Sequence, residues 1–412
     1  MNAATSIARK QSVIDYYEER NKRFAGYLKI TIDATKSCQL RCRYCYFGVK
    51  SCEKADVEKI VKAVQNIIEA TDEKLNRISV SYMGGEPTLA WPKIKQINKR
   101  LRAILSKQEI TYSWGMTSNL VDFNRKKADY LISEKAGVLC SIDGPSDIHN
   151  KNRPFVNKKE NSFQRVVKNV PLAIETKKGD RSRVTVCPED SNRILEIAET
   201  VFGLGFKDMI ILPNVHVKWS NKQVKSWGRG IAETIKKFDN GETKISTIIT
   251  RDGEGFDMAL GVRSCGIGKN IFALSTNGIL FPCHRLTQQP EFSTIDASVA
   301  KSSEIRMVLQ SMLKTFDVNT IPKCIPCKAR FRCGGGCLAD NAVINGNPRI
   351  PISTLCRLKK EILVFLEELG VKYEKKTRVT SSCWFFACGH DNDDPDPCDH
   401  CCDSGCYNEC HD

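Results

Sequence analysis

Between residues 28 and about 240, short runs rich in β-branched residues alternate with longer amphipathic stretches. Strands are predicted at 28–34, 77–82, 110–116, 137–142, 183–187 and 208–212. Helical patterns lie between them at 53–70, 92–107, 125–135, 162–176 and 191–204, with a sixth at 222–238. Six such units predict an α/β fold with a parallel sheet, closed or partly closed as a (β/α)6 barrel. Functional groups are then expected on the loops at the carboxyl ends of the strands.

Three cysteines follow the first predicted strand, in the segment TKSCQLRCRYCYF. Cys38, Cys42 and Cys45 have the spacing C-x3-C-x2-C. Three thiolates on one loop suit three irons of a [4Fe–4S] cube, whose fourth iron stays open to a ligand. A zinc site would want four ligands, and no His or further Cys lies close enough in sequence to complete one. Cys52, at the start of a helix, is expected to be incidental.

This loop, with Tyr44 just before its last cysteine, resembles the cluster-binding loop of the radical S-adenosylmethionine (SAM) superfamily. The resemblance covers about residues 28–372 and implies a partial, TIM-like barrel. It also implies that the open iron chelates the amino and carboxylate groups of SAM. Reductive cleavage of SAM would give a 5′-deoxyadenosyl radical that abstracts hydrogen, with electrons from a donor such as flavodoxin or ferredoxin.

The end of the second strand carries Gly84, Gly85 and Glu86, in the sequence MGGEP. It resembles the element of this superfamily that binds the SAM amino group. Paired glycines let backbone carbonyls approach a ligand closely, and a carboxylate suits an ammonium group. A plain turn is the alternative for this motif.

Polar residues also end the next strands, in TSN and SIDGP. By resemblance, Ser118 and Ser141 contact the ribose or the methionyl carboxylate of SAM, and Arg183 is a further candidate for that carboxylate. Asp143 and Arg153, in SIDGPSDIHNKNRP, are typical of the peptide-modifying branch. We therefore predict that Asp143 faces the substrate or accepts a proton. Helix caps and turns are the alternatives for these residues.

A second group of seven cysteines follows the barrel. The pattern is Cys-x12-Gly-x4-Cys, then Cys-x2-Cys-x5-Cys-x3-Cys, then one more Cys. It resembles the SPASM extension of radical SAM enzymes that modify peptides and proteins, which implies two auxiliary [4Fe–4S] clusters. By this resemblance, the outer cluster has four ligands and the inner one three: Cys324, Cys327, Cys333 and Cys356, and Cys265, Cys283 and Cys337.

The inner site lacks a cysteine that relatives carry about six residues after the first one, since the chain reads CGIGKNIF there. An open iron that binds a substrate thiolate is one hypothesis, and an external ligand or a cysteine from the C-terminal tail would serve equally well. Two structural zinc sites are the alternative for the whole pattern, and real clusters could be purely structural. Clusters near a radical site are otherwise plausible electron relays.

The net charge of +15 is unevenly distributed. Residues 383–412 hold eight acidic residues and no Lys or Arg, and removing these charges leaves +23 on residues 1–382. A solvated basic surface, an acidic peptide partner and, less favoured, nucleic acid are the candidate explanations. The tail also has seven of the 20 cysteines. It is interpreted as a fused or mimicked substrate, a metal site helped by His390, His400 and His411, or a disordered appendage.

These features divide the chain into an N-terminal helical segment (1–27), the barrel (28–240), a bridging region (241–262), the SPASM domain (263–372) and the linker and tail (373–412). The predicted function is radical modification of a ribosomally made, Cys-rich peptide, with thioether crosslinking of the sactipeptide or ranthipeptide type as the best fit. Formylglycine formation in a sulfatase, carbon–carbon crosslinking and a metal-binding scaffold are the alternatives. A leader peptide would need a separate binding protein. No signal sequence or membrane-length apolar stretch is found, so a cytoplasmic location is expected.

Overall fold

A computed structural model describes residues 26–71, 74–157, 160–176, 179–249, 265–313 and 317–372. The N-terminal helical segment up to residue 25, the bridging region from residue 250 and the Cys-rich tail lie outside the described residues. The three interpretations of the tail therefore stay predictions.

The predicted strand–helix alternation is confirmed, with shifts of only a few residues at element ends. The barrel strands are β1 (Tyr27–Thr35), β2 (Arg77–Gly84), β3 (Thr111–Ser118), β4 (Gly137–Ser141), β5 (Arg181–Val186), β6 (Asp208–Pro213) and a short β7 (Lys244–Ser246). The helices are α1 (Val57–Ala70), α2 (Trp91–Ser106), α3 (Arg125–Ser133), α4 (Ser146–Asn152), α5 (Ser162–Ile174), α6 (Ile194–Gly203) and α7 (Asn221–Phe238).

Neighbouring strands from β1 to β7 pair in sequence order and in parallel, which confirms the partial barrel. β1 is buried along all nine residues, because helices cover one side and the barrel interior the other. Helices begin where polar side chains cap them. The Asp56 carboxylate accepts a hydrogen bond from the Lys59 N–H at the start of α1, and Ser220 and Gln223 form a capping box at α7.

The region after residue 265, here called the auxiliary region (265–372), continues the same sheet. β8 (Ile271–Leu274) pairs in parallel with β1, and β9 (Ile279–Phe281) and β10 (Ile295–Asp296) follow antiparallel. The sheet order is therefore β10-β9-β8-β1-β2-β3-β4-β5-β6-β7. The helices of this region are α8 (Ser302–Leu313), α9 (Arg330–Cys333), α10 (Leu338–Asn345) and α11 (Ser353–Glu368).

A second, small core centres on Phe281, Leu286, Val318 and Leu338. Helix α11 also packs against α7 of the barrel, so closely that a Cβ at Gly228 would lie 2.8 Å from the Glu361 backbone. The auxiliary region is thus joined to the barrel through both its sheet and its last helix. None of the described helices combines the length and the apolar character that crossing a membrane requires.

Candidate functional site

The carboxyl ends of the barrel strands and the auxiliary region enclose one cavity of about 250 Å³. The loop after β1 and the ends of β2 to β6 form one side of the cavity wall, and the auxiliary region forms the other. The predicted site residues that line it are Cys38, Cys42, Tyr44, Cys45, Gly84, Gly85, Glu86, Ser118, Ser141, Arg183, Cys265, Cys333 and Cys337.

The loop with the first three cysteines is anchored by its backbone. The Arg41 N–H donates to the Pro154 carbonyl at 2.8 Å, and the Arg43 N–H donates to the Asn152 carbonyl at 2.9 Å. The Cys45 N–H donates to the Cys42 carbonyl at 3.1 Å, which closes a tight turn between these two ligands. The spacing of the three cysteines therefore becomes a fixed arrangement at the cavity wall.

Of the three cysteines in this loop, Cys42 is the most deeply buried. Burial raises the pKa of the Cys42 thiol to about 12; the Arg153 guanidinium opposes this, and the neighbouring Cys45 and Cys38 thiols add to it. Such a buried thiol is protonated without metal, so metal binding must displace the proton. No three His, Cys, Asp or Glu side chains in the described parts of the chain can together hold a single metal ion. Because cluster thiolates bind separate irons, this donor set fits an iron–sulfur cluster better than zinc.

The glycine pair lets the end of β2 lie directly against the cysteine loop. The Gly85 N–H donates to the Thr35 carbonyl and the Glu86 N–H to the Ser37 carbonyl, both at 2.8 Å. A Cβ at Gly84, whose φ is +112°, would lie 2.4 Å from the Thr35 oxygen, and one at Gly85 would lie 2.1 Å from the Ser37 oxygen. The glycines therefore provide close packing of backbone on backbone, in addition to facing the cavity.

Glu86 joins the ends of β2 and β3. Its buried carboxylate accepts hydrogen bonds from the Thr88 N–H and hydroxyl, from the Ser118 hydroxyl at 2.8 Å and from the Asn119 N–H at 2.7 Å. Burial raises the pKa of Glu86, and these hydrogen bonds oppose that shift. Oε2 accepts only one of these bonds, so it is the oxygen with capacity for the predicted ammonium contact.

Ser118 also has the turn role named as its alternative, because its hydroxyl accepts the Leu120 N–H at 3.0 Å. Asn119, which sequence reasoning did not select, places its amide nitrogen 3.7 Å from the Cys38 sulfur. Ser141 and Arg183 face the cavity from β4 and β5. Burial, and next the charge of Arg285, lower the pKa of Arg183 to about 10.

Asp143 does not line the cavity, and its side chain is completely buried. Its carboxylate accepts hydrogen bonds from the Tyr44 hydroxyl, from Arg153 Nη2 at 3.1 Å and from the Thr185 N–H at 3.0 Å. The Arg153 guanidinium lies 5.3 Å from the centre of the Tyr44 ring. The substrate-facing position expected for Asp143 is not what the structure shows, because burial leaves the carboxylate to hold Tyr44 and Arg153, which do line the cavity.

The seven cysteines of the auxiliary region lie in two groups. Burial raises the pKa of Cys324 to about 11, and the thiols of Cys333, Cys356 and Cys327 raise it further. These four surround a separate small cavity of about 40 Å³.

The other set comprises Cys265, Cys283 and Cys337. Burial raises the pKa of Cys283 to about 12, and the Cys265 thiol adds to this shift. Between the two sets, Gly334, Gly335 and Gly336 all have positive φ, a turn that residues with a Cβ rarely adopt. This turn directs Cys333 and Cys337 to different sites.

Three further polar residues meet on the cavity wall, and sequence reasoning did not select them. Arg285 Nε donates to Asp340 Oδ1 at 2.6 Å, and His216 Nε2 lies 3.3 Å from the same oxygen. Burial raises the pKa of Asp340, but the Arg285 and His216 contacts outweigh it and hold that pKa well below its usual range. The available signal was position, since Arg285 and Asp340 follow cysteines by two and three residues and His216 follows β6.

Comparison with known proteins shows which family and which solved structures this chain resembles. Residues 32–212 match the Radical SAM superfamily. A cysteine-type anaerobic sulfatase-maturating enzyme of Clostridium novyi is 24% identical over 168 residues, which are 40% of this chain and 44% of that enzyme. The match thus spans less than half the length of this relative. An uncharacterized protein of Archaeoglobus fulgidus is 20% identical over 81% of this chain and 82% of its own.

Solved structures extend the likeness into the auxiliary region. Native anSMEcpe with bound AdoMet has a TM-score of 0.64 at 19% identity, over 83% of this chain and 97% of that one. The structure of Streptococcus suis SuiB bound to S-adenosylmethionine has a TM-score of 0.55 at 13% identity, over 83% of this chain and 80% of that one. At these identities the likeness concerns the fold. Residues 32–212 therefore carry a radical SAM domain, and the likeness of fold to these solved structures extends over the auxiliary region.

Proposed function

We propose that this enzyme uses SAM to oxidise a ribosomally made, Cys-rich peptide, joining a Cys sulfur to a carbon atom in a thioether. The observation that carries the proposal is that the first cysteine loop and the inner cysteine set line the same cavity. Cys38, Cys42 and Cys45 line one side of it, and Cys265 and Cys337 line the other. Carbon chemistry and sulfur binding would therefore take place in a single enclosed space.

The outer and inner auxiliary sites differ in the number of thiols that the described residues supply. The outer site has four, so a cluster there is closed, whereas the inner site has Cys265, Cys283 and Cys337. The three other described cysteines are the exposed Cys52 and the buried Cys140 and Cys187, which belong to neither set. An inner cluster with three protein ligands leaves one iron open, and a substrate thiolate is a ligand of the right charge and softness.

Side chains of this chain would bind and orient the reactants. Cys38, Cys42 and Cys45 would hold the cluster, which would supply the electron for SAM cleavage. Glu86 Oε2 would accept the SAM ammonium group, and Ser141 and Arg183 would bind its ribose and carboxylate. Asp143 holds Tyr44 of the cysteine loop in place by accepting a hydrogen bond from its hydroxyl group. The apolar wall, with Leu139, Leu212 and Ile248, excludes water from the radical.

Formylglycine formation is the second candidate, because the relatives and the solved structures include sulfatase-maturing enzymes. One of these structures contains a Cp18Cys peptide together with AdoMet. The three-thiol inner site favours thioether formation in this chain, since only a site with an open iron can take up a substrate thiolate.

The test begins with anaerobic reconstitution of the full chain with iron and sulfide. We expect about twelve irons and 5′-deoxyadenosine formation from SAM with a strong reductant. Replacing Cys38, Cys42 and Cys45 with Ala is expected to remove about four irons and all SAM cleavage. Cys52→Ala is the matched control, because this exposed cysteine belongs to neither set, and it should behave as wild type.

Two peptide probes then distinguish the reactions by mass spectrometry. The first is a synthetic peptide with the sequence of residues 383–412, and the second is the Cp18Cys peptide. Thioether formation removes two hydrogen atoms per crosslink, whereas formylglycine formation replaces the thiol with an aldehyde oxygen. Conversion of Cp18Cys to formylglycine with no crosslink in the first probe would favour the second candidate. Zinc in place of iron, or SAM cleavage by the triple variant, would refute both.

A further inference from the structure

The proposed reaction removes a hydrogen atom, a proton and an electron from the peptide. The hydrogen atom of the C–H bond passes to the 5′-deoxyadenosyl radical. The S–H proton must pass to a base, and an electron leaves when the carbon radical and the thiolate form the C–S bond. Formylglycine formation from Cys removes the same three. Both reactions therefore need a proton acceptor at the cavity and an electron acceptor near it.

Few described residues on the cavity wall can accept the proton. The Glu86 carboxylate accepts four hydrogen bonds and would also bind the SAM ammonium group, and the Asp340 carboxylate is paired with Arg285. Burial lowers the pKa of His284 to about 3, so this side chain is a weak base. His216 remains, because its side chain lines the cavity, is 35% exposed, and carries a ring nitrogen that can act as a proton acceptor.

The turn after β6 holds His216 in place. The His216 N–H donates to Asn214 Oδ1 at 3.2 Å, and the Asn214 carbonyl accepts the Trp219 indole N–H at 2.8 Å. On the ring, Nε2 faces Asp340 Oδ1 at 3.3 Å and Arg285 Nη2 at 3.1 Å. The Asp340 carboxylate attracts a positive charge on this ring, and the Arg285 guanidinium repels one.

Arg285 and Asp340 also face the inner cysteines. Arg285 follows Cys283 by two residues, and Asp340 follows Cys337 by three. The charge of Arg285 lowers the pKa of both thiols and the charge of Asp340 raises it, as expected for charges that lie close to this site. The other charged groups around His216 are Lys218 in the same segment and, across the cavity, Arg183 of β5 and Lys359 of α11, besides the neutral His284.

We propose that protonation of His216 is coupled, through Asp340 and Arg285, to reduction of a cluster held by Cys265, Cys283 and Cys337. This inference rests on the proposed function, because it assumes that cluster. The electron from the forming C–S bond enters the cluster, and the thiol proton enters the neutral imidazole. The added negative charge on the cluster and the positive charge on His216 compensate each other within one network, so each transfer favours the other.

The test measures a potential and needs no peptide. The reconstituted full-length enzyme is titrated with reductant at several pH values, and the inner cluster is followed by electron paramagnetic resonance. Its signal is identified as the one that Cys283→Ala removes. We expect the midpoint potential to fall as the pH rises, by up to about 59 mV per pH unit for a one-electron couple. In H216Q this dependence should disappear, whereas the matched control K218Q, an exposed residue of the same segment, should retain it.

Iron content of each variant shows that the clusters are intact, and D340N, which removes the charge between His216 and Arg285, should also lose the dependence. A potential that does not vary with pH in the wild type, or an equal dependence in H216Q, would overturn this inference alone. Equal iron content and spectra in wild type and Cys283→Ala would overturn it together with the inner cluster of the proposed function.

Discussion

Gly85→Ala tests whether the close packing between β2 and the cysteine loop is needed for cluster binding. An added Cβ would lie 2.1 Å from the Ser37 carbonyl oxygen, and 2.6 Å from its carbonyl carbon. Both atoms belong to the backbone, so no side-chain rotation can relieve the contact. Because Ser37 directly precedes Cys38, the displacement would reach the first cluster ligand.

The expected loss of stability in Gly85→Ala can be worked out from this geometry. Ordinary van der Waals contact begins at 3.4 Å, so the two segments must separate by roughly 1 Å, and overpacking of this kind costs about 1–3 kcal/mol. The separation also weakens the hydrogen bonds from the Gly85 and Glu86 N–H groups to Thr35 and Ser37, worth about 1 kcal/mol each. We expect the free energy of unfolding of the metal-free protein to fall by about 3–5 kcal/mol.

The assay compares urea unfolding of the metal-free protein with the iron content after anaerobic reconstitution. Gly85→Ala is expected to lose about four irons per chain and the cleavage of SAM. Gly48→Ala is the matched control, since Gly48 lies in the same loop and an added Cβ there meets nothing within 4 Å. A Gly85→Ala protein with wild-type iron content and unfolding midpoint would refute the reasoning.

Three further outcomes follow from buried groups and ligand sets. Arg153→Leu leaves the Asp143 carboxylate buried without its ion-pair partner and should lower the free energy of unfolding by about 3–5 kcal/mol. Urea unfolding should show that the Arg153→Leu/Asp143→Leu protein partly recovers this stability. A double variant that is no more stable than the single one would contradict this prediction. Burial raises the pKa of Asp33 to about 7, so the folded protein keeps this carboxyl group protonated at pH values where the unfolded chain has ionised it. Ionisation of the unfolded chain therefore lowers the free energy of unfolding as the pH rises from about 4 to 7. In urea unfolding of the metal-free proteins, the free energy of unfolding of Asp33→Asn minus that of wild type should therefore increase by about 3 kcal/mol between pH 5 and pH 8. An equal pH dependence of stability in the two proteins would contradict this prediction. Cys327→Ser should remove about four irons yet leave SAM cleavage in place, and an iron assay showing no loss would argue against a four-thiol outer site.

Much of the fold was predictable because its signals are local. The six strand–helix units follow from periodicity within each segment, and β2 and α5 start at the predicted residues. The two cysteine patterns were equally readable, because ligands of one site lie within a few residues of each other in Cys38–Cys45 and Cys324–Cys333. Gly85 was also selected, although its contact with the Ser37 backbone could not be foreseen.

Other features depend on which loops meet. Asp143 was expected at the substrate, yet Tyr44, Arg153 and Thr185 enclose it. No sequence pattern shows whether a polar residue at a strand end points into a cavity or into the protein. Asp33 likewise stands in an apolar strand with no signal that burial would perturb its carboxyl group.

By itself, the sequence determined the barrel units, the spacings of the cysteines and the resemblance to the radical SAM superfamily, because periodicity and short spacings act within a few residues. The tertiary structure alone decided that β8 would pair with β1 and place the inner cysteines across the cavity from the first loop. It also brought His216 to Asp340, 124 residues away, and Arg285 to the same carboxylate. Such contacts arise from the long-range packing of the sheet, which gathers the carboxyl ends of its parallel strands at one edge.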